Sequence, residues 1–139
     1  MLTQRRTKLS WTKRTAVMIA AMTSVLGASV IASPAANAAV YSSCSVAGCD
    51  NAASANSTWS SMGYPTDRGW YDWPTGRCSF AGGQFTNSEG ELPFGDTYYE
   101  YDVYPRTCGA HRDAVRIVVD FTTGVVYYSP DHYANFYQL

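Results

Sequence analysis

Only one segment of the chain has the hydrophobic spacing of a helix, and it covers residues 50–62. Its apolar members lie three or four positions apart and form one stripe: Ala52, Ala55, Trp59 and Met62. Asp50 can cap the first turn, and Gly63, shortly before Pro65, is a typical helix end. The pattern therefore predicts one helix that begins at an Asp50 cap, with Trp59 in the core.

Beyond residue 83 the hydrophobic spacing changes to a period of two, which is typical of half-buried strands. The predicted strands are 84–87, 98–104, 114–121, 125–128 and 134–137. A Thr-Thr-Gly turn at 122–124 would join two of them as a hairpin. One N-terminal helix packed on a twisted antiparallel sheet is an α+β fold.

The alternation also assigns side chains to the two faces of the predicted sheet. Tyr101 and Ile117 fall on the face expected to meet the helix, whereas Glu100 and Arg116 fall on the opposite face. We therefore expect one face to be core and the other to be a charged cleft.

Residues 64–83 are dense in proline, glycine and aromatic residues, and they predict an irregular loop. Trp70, Tyr71 and Trp73 would form either a sugar-stacking platform or a small satellite core pinned by a disulfide. We favour the core, because an aromatic cluster of this kind buries a large apolar area.

The start of the chain differs in composition from the rest. Residues 1–14 hold five of the ten lysines and arginines, and an apolar run over 15–32 is followed by Ala-Asn-Ala at 36–38. This order predicts a secretory signal peptide, 1–38, that is removed after Ala38 to give a secreted, extracellular protein. The alternative is a transmembrane anchor, since the apolar run is borderline in length.

The remaining chain, 39–139, is predicted to be a single domain with an acidic surface. It holds five arginines, no lysine and eleven carboxylates, which gives a net charge of −6. This charge excludes nucleic-acid binding by broad counterion release. If the domain acts on a nucleic acid, the attraction must therefore be local.

Four cysteines fall in this domain: Cys44, Cys49, Cys78 and Cys108. An even count in a small exported domain favours two disulfides over a zinc site. Three pairings are possible, and we favour Cys44–Cys49 with Cys78–Cys108.

Four charged residues near the end of the chain carry the candidate chemistry: Glu100, Arg112, Arg116 and His132. A carboxylate that takes a proton, an imidazole that gives one and two guanidinium groups suit phosphoryl transfer without a metal or cofactor. Taken singly, Glu100 and His132 have plainer interpretations. Glu100 and Arg116 could be a cross-strand ion pair, and His132 could be a turn residue.

These residues fall within four ordered blocks: FTNSEGELP at 85–93, YYEY at 98–101, RDAVRI at 112–117 and DHYANF at 131–136. In this order and spacing they resemble the guanyl-preferring microbial ribonucleases, a family of small secreted fungal and bacterial enzymes within the barnase-like superfamily. The resemblance is close over residues 84–139. It implies the microbial ribonuclease fold and cleavage of single-stranded RNA on the 3′ side of guanosine.

The resemblance also implies a role for each catalytic position. Glu100 matches the general base, His132 the general acid, and Arg112 and Arg116 the phosphate-binding arginines. Phe85 and Tyr133 match positions that stack on the base, while Glu89 matches the carboxylate that recognises guanine and Asn87 completes the base site. Ser88 stands where related enzymes often carry Arg or Tyr.

We expect a monomer that acts on single-stranded RNA without a cofactor. A non-catalytic glycan- or cell-wall-binding module built on the aromatic segment 64–83 is an alternative. A further alternative keeps the chemistry but makes the protein an antibacterial toxin that is paired with a small intracellular inhibitor protein.

Overall fold

The computed structural model describes residues 38–139, which form one helix and seven strands. In chain order these are β1 (Ala39–Tyr41), α1 (Cys49–Ser61), β2 (Gly69–Asp72), β3 (Cys78–Phe85), β4 (Tyr98–Asp102), β5 (Arg116–Asp120), β6 (Val126–Ser129) and β7 (Asn135–Gln138). The α+β class is therefore confirmed. The predicted signal peptide lies outside the described residues, apart from Ala38. Within 38–139 the helix is too short and too polar to cross a membrane.

All seven strands belong to one sheet in the order β1-β7-β6-β5-β4-β3-β2. Strands β2 to β7 pair in antiparallel fashion, but β1 runs parallel to β7, with Ala39 opposite Asn135. The predicted antiparallel sheet is thus present in β2 to β7, and β1, which was not predicted, adds one parallel strand that makes the sheet mixed. A three-residue strand that pairs with the end of the chain leaves little local pattern in the sequence.

The prediction of an irregular loop over 64–83 was also wrong. Its central part forms an antiparallel hairpin, in which Trp70 lies opposite Phe80 and Asp72 opposite Cys78. The turn between the strands is closed by the Trp73 N–H, which donates to the Arg77 carbonyl at 2.8 Å. The many glycine and proline residues mark the ends of this hairpin rather than a structureless segment.

The cap and the first residue of the helix lie two positions earlier than predicted, and Asp50 is not the cap. Gly48 occupies the cap position with φ of 94°, and no side chain caps the helix. A Cβ on Gly48 would collide with the Tyr128 hydroxyl, so the close approach explains the glycine. Asp50 lies in the first turn, where a carboxylate is favoured by the helix dipole.

The sequence predicted the strand phases of β4 and β5 correctly. Tyr101 lies opposite Ile117 on the helix side, and Asp102 lies opposite Arg116 on the other side. The helix contributes Ala52, Ala55 and Trp59 to the cluster that contains Tyr101 and Ile117. Trp59 also donates its indole N–H to the Asp102 carbonyl at 2.8 Å, which ties the helix to β4.

The opposite face is not a fully charged cleft, which corrects the simple two-face prediction. Part of it forms a second apolar cluster of Leu92, Tyr98, Val118, Tyr127 and Phe136. The segment between β3 and β4 folds over this part of the sheet and buries Leu92. The charged groups are therefore confined to the remaining area, between this cluster and the β2–β3 hairpin.

Both favoured disulfides are present, Cys44–Cys49 and Cys78–Cys108. The first closes the loop that leads into the helix. The second links Cys78, the first residue of β3, to Cys108 in the segment between β4 and β5.

Candidate active site

The carboxylate of Glu100 lies on the charged part of the sheet, between a guanidinium and a phenol. Its Oε1 is 3.5 Å from Arg112 Nη1, and its Oε2 accepts a hydrogen bond from the Tyr133 hydroxyl. The side chain is only 14% exposed. Glu100 thus pairs with Arg112, and the cross-strand pair with Arg116 that the sequence allowed does not form.

A glycine in β3 makes room for this carboxylate. A β-bulge interrupts the register between Ala81 and Gly83, and a Cβ on Gly82 would collide with the Glu100 carboxylate. The bulge and the glycine therefore let Glu100 lie across β3 instead of projecting into solvent.

Asp102 organises the arginines, although no motif in the sequence marked it as part of the site. Its side chain is fully buried, and Oδ1 accepts from Arg112 Nε at 2.9 Å and from Arg112 Nη2 at 2.6 Å. The same oxygen lies 3.2 Å from Arg116 Nη1, and Oδ2 lies 3.9 Å from Arg106 Nε. One buried carboxylate thus contacts both predicted phosphate-binding arginines, and a third arginine, Arg106, lies beside them and bonds to Asp113 and to backbone carbonyls.

The charges of this cluster shift the pKa values of two side chains, Arg112 and Tyr133. Burial disfavours the charge of Arg112, but the hydrogen bond and charge of Asp102 and the charge of Glu100 outweigh it and raise its pKa above the ordinary value. Burial, together with the charge and hydrogen bond of Glu100, raises the pKa of the Tyr133 hydroxyl. Tyr133 therefore remains protonated and can donate to Glu100.

Arg116 is almost completely buried, with 4% of its surface exposed. Its ion pairs with Asp102 and Asp113 and its hydrogen bond to the Val115 carbonyl all use Nη1. Asp113 also accepts from Arg106 Nη2 at 2.8 Å, so two carboxylates share three arginines. This arrangement holds the guanidinium groups rigidly at the edge of the charged area.

His132 lies in the turn between β6 and β7, with its side chain exposed. Its φ is 56°, and its backbone N–H donates to the Ala114 carbonyl at 2.9 Å. Its ring lies 4.9 Å from the ring of Tyr133, measured between centroids. The hydrogen bond to Ala114 holds the backbone of the turn, and the imidazole of His132 projects from it into solvent.

A cleft of about 380 Å³ opens beside these residues. It is lined by Ala38, Phe85, Ser88, Glu89, Glu91, His132, Tyr133 and Ala134. Phe85 and Tyr133 contact each other with ring centroids 4.8 Å apart. The cleft thus brings together four of the predicted site residues: Phe85, Glu89, His132 and Tyr133.

The comparison with known families decides what kind of protein carries this arrangement. A family model described as ribonuclease matches residues 32–139, which include every residue of the site. The chain belongs to the ribonuclease family. No curated protein matches it closely enough to be counted as a relative.

In this ribonuclease the side chain of Asn87, which was predicted to complete the base site, bonds to the backbone of its own loop. Its Nδ2 donates to the Leu92 carbonyl at 2.8 Å, and its Oδ1 accepts from the Leu92 N–H at 3.1 Å. Asn87 adopts φ of 47° and is 8% exposed. Its side chain therefore braces the loop that carries Ser88 and Glu89.

The sequence pointed to residues with candidate chemistry but missed the groups that position them in the structure. Asp102 and the Gly82 bulge are such cases, as is the turn that holds His132. That turn is fixed by Asp131, which accepts from the Asn135 N–H at 2.9 Å, and by Ser129, whose hydroxyl accepts from the Tyr133 N–H at 2.8 Å. A run of short polar residues around a histidine is the only signal for it in the sequence.

Proposed function

We propose that this ribonuclease is a secreted endoribonuclease that cleaves single-stranded RNA on the 3′ side of guanosine. The observation that carries the proposal is the position of Tyr133. Its hydroxyl donates to Glu100, and its ring lines the same cleft as His132 and Glu89. A base held in that cleft would place its own ribose beside Glu100.

The proposed reaction begins when Glu100 accepts the proton of the ribose 2′-OH. The 2′ oxygen attacks phosphorus, the bond from phosphorus to the 5′ oxygen breaks, and His132 gives its proton to that oxygen. The products are a 2′,3′-cyclic phosphate and a free 5′-OH. Water then opens the cyclic phosphate to a 3′-phosphate, with the two proton transfers reversed.

The arginine cluster would bind the phosphate and the charge that builds on it. Arg112 and Arg116 are held by Asp102, so little reorganisation is needed when the phosphate arrives. A guanidinium group keeps its charge and can pair with two phosphoryl oxygens. The nucleophile is part of the substrate, so this mechanism requires no metal.

Guanine selectivity would come from Glu89 in the cleft. Guanine presents N1–H and N2–H as neighbouring donors, which one carboxylate can accept together. Adenine lacks that pair and would leave the carboxylate unpaired. Phe85 and Tyr133 would stack on the base, while the small side chain of Ser88 leaves that side of the cleft open.

Secretion is part of the proposal, and both disulfides are compatible with an oxidising compartment. Ala38, after which we expect cleavage, lines the cleft, and β1 begins at Ala39. Removal of the leader would therefore also remove one residue from the wall of the proposed base site.

The mechanism is tested by digesting a defined single-stranded RNA in excess EDTA and mapping the ends that form. We expect full activity and, early in the digestion, fragments that end in guanosine 2′,3′-cyclic phosphate. Loss of cleavage with the chelator would contradict the metal-free mechanism. Ends distributed over all four bases would contradict the guanine preference.

The guanine site is tested by Glu89→Gln. An amide cannot accept from two donors as a carboxylate does, so the ratio of kcat/KM for GpU to that for ApU should fall about 10- to 100-fold. Glu91→Gln is the matched control, because Glu91 lines the same cleft and the charge change is identical. Equal effects of the two variants would show that general charge, and not a contact from Glu89, sets the preference.

The glycan-binding alternative is not supported by the aromatic segment. Trp73 is 8% exposed and belongs to the helix-side core, with its ring 4.9 Å from that of Trp59. Tyr71 packs against the same core. Two of the three aromatic residues therefore belong to the main, helix-side core, and only Trp70 lies on the other face.

A further inference from the structure

Arg68 differs from the arginines of the catalytic cluster. Arg106, Arg112 and Arg116 all pair with carboxylates, whereas Arg68 makes no ion pair within residues 38–139. It is exposed, and its guanidinium lies over the ring of Phe80, 5.7 Å from the centroid. Arg77 also makes no ion pair within the described residues, so the feature that sets Arg68 apart is its position over Phe80.

Phe80 connects this arginine to the catalytic cluster. The guanidinium of Arg112 lies over the same ring, 4.2 Å from its centroid. Trp70 meets Phe80 edge to face at 5.3 Å, directly across the β2–β3 pair. The three side chains thus continue the charged area away from the cleft that contains Glu89.

Arg68 also approaches the general-base position from the β3 side. Its Cβ lies 3.5 Å from the point where a Cβ on Gly83 would be, and Gly83 is the register partner of Glu100. The order across this face is therefore the cleft, Glu100, Arg112, and then Phe80 with Arg68 and Trp70. An RNA strand that places its guanine in the cleft and its scissile phosphate on Arg112 would extend one neighbouring nucleotide over this surface.

We propose that Arg68 and Trp70 form a second nucleotide subsite that binds the residue adjoining the cleaved guanosine. The guanidinium of Arg68 would contact the phosphate of that residue, and the partly exposed indole of Trp70 would stack on its base. The inference rests on the proposed cleavage at Glu100 and His132. It goes beyond that proposal by assigning a function to the aromatic hairpin.

The overall charge explains why such a subsite would matter. A domain with a net charge of −6 repels RNA at long range, so affinity must come from local contacts. An exposed arginine beside an aromatic ring supplies both elements of single-strand binding, a phosphate contact and a stacking surface. Because every base has a stacking face, this subsite would tolerate any base.

The test compares a dinucleotide with its extended forms: GpU, UpGpU and GpUpU. Arg68→Gln should lower the ratio of kcat/KM for one extended substrate to that for GpU by roughly tenfold, through loss of one phosphate contact. The substrate that loses this advantage identifies the 5′ or the 3′ side. Arg77→Gln is the matched control, because Arg77 is also exposed but lies at the opposite end of the hairpin.

The salt dependence gives a readout that a purely structural effect would not change. On the affected substrate, the slope of log kcat/KM against log salt should become shallower by about 0.7 in Arg68→Gln, and it should not change in Arg77→Gln. Trp70→Leu should lower kcat/KM for the affected substrate about 5- to 100-fold relative to hydrolysis of guanosine 2′,3′-cyclic phosphate, which carries no neighbouring base, whereas Trp70→Phe should retain most of it. Thermal unfolding of each variant identifies any loss that comes from the fold.

Equal substrate ratios in wild type, Arg68→Gln and Arg77→Gln would overturn the subsite while leaving the proposed cleavage intact. Failure of the wild type to cleave any of the three would instead refute the proposed function. The subsite would then be judged by binding of the uncleavable 2′-deoxyguanosine trinucleotides. Weaker binding to Arg68→Gln than to Arg77→Gln supports it, and equal binding overturns it.

Discussion

Replacement of His132 by asparagine is expected to lower kcat for RNA cleavage by about 10²- to 10⁴-fold, which is the usual contribution of a general acid. The fold should be unaffected, because the side chain is exposed and the backbone N–H, not the ring, bonds to Ala114. Asparagine is the appropriate replacement because His132 adopts φ of 56°, a conformation that asparagine tolerates better than alanine does. Initial rates on GpU and far-ultraviolet circular dichroism measure the two quantities.

The leaving group provides the control for this variant. Guanosine 3′-(4-nitrophenyl phosphate) releases a phenolate that needs no proton, so its cleavage should fall much less in His132→Asn than cleavage of GpU does. An equal loss on both substrates would contradict the role of general acid and indicate a role in binding. His111→Asn is the matched variant, since His111 is also exposed and makes no contribution to the cleft.

The local pattern of the sequence was sufficient to place Glu100 and Arg116 on one face of the sheet. Strand alternation is strict, so a single correct pairing of Tyr101 with Ile117 fixes the orientation of every neighbouring side chain. The same reasoning failed for β1 and for the β2–β3 hairpin. Pairing of β1 with β7 joins the two ends of the domain, and no period within three residues can indicate it.

The contacts that position the site residues could not be predicted from the sequence, for a different physical reason. Arg106 and Arg112 belong to the segment between β4 and β5, which has no period and therefore no predictable direction. Both guanidinium groups turn back towards Asp102 because of the path that this segment takes in the fold. The Cys78–Cys108 disulfide helps to fix that path. The loop-bracing role of Asn87 was hidden in the same way, since its partner Leu92 is itself an unremarkable loop residue.

Replacement of Asp102 by asparagine should have the largest effect on stability. The variant would leave Arg112 and Arg116, with side chains 18% and 5% exposed, without their shared buried counter-charge. Breaking a buried ion pair from one side typically costs about 3–5 kcal/mol. Urea denaturation should therefore show a loss of this size in the free energy of unfolding.

Asp113→Asn separates this effect from a general change of charge. Asp113 contacts Arg106 and Arg116, but its side chain is 36% exposed, so water can replace it and the loss should stay within about 1 kcal/mol. Activity, measured where both variants are fully folded, should also differ. Without Asp102 the guanidinium of Arg112 is no longer held between Glu100 and Phe80, so kcat on GpU should fall more than it does in Asp113→Asn. Similar stability and similar kcat in the two variants would mean that the arginines hold their positions through Asp113 and the backbone, and that Asp102 does not organise the phosphate site.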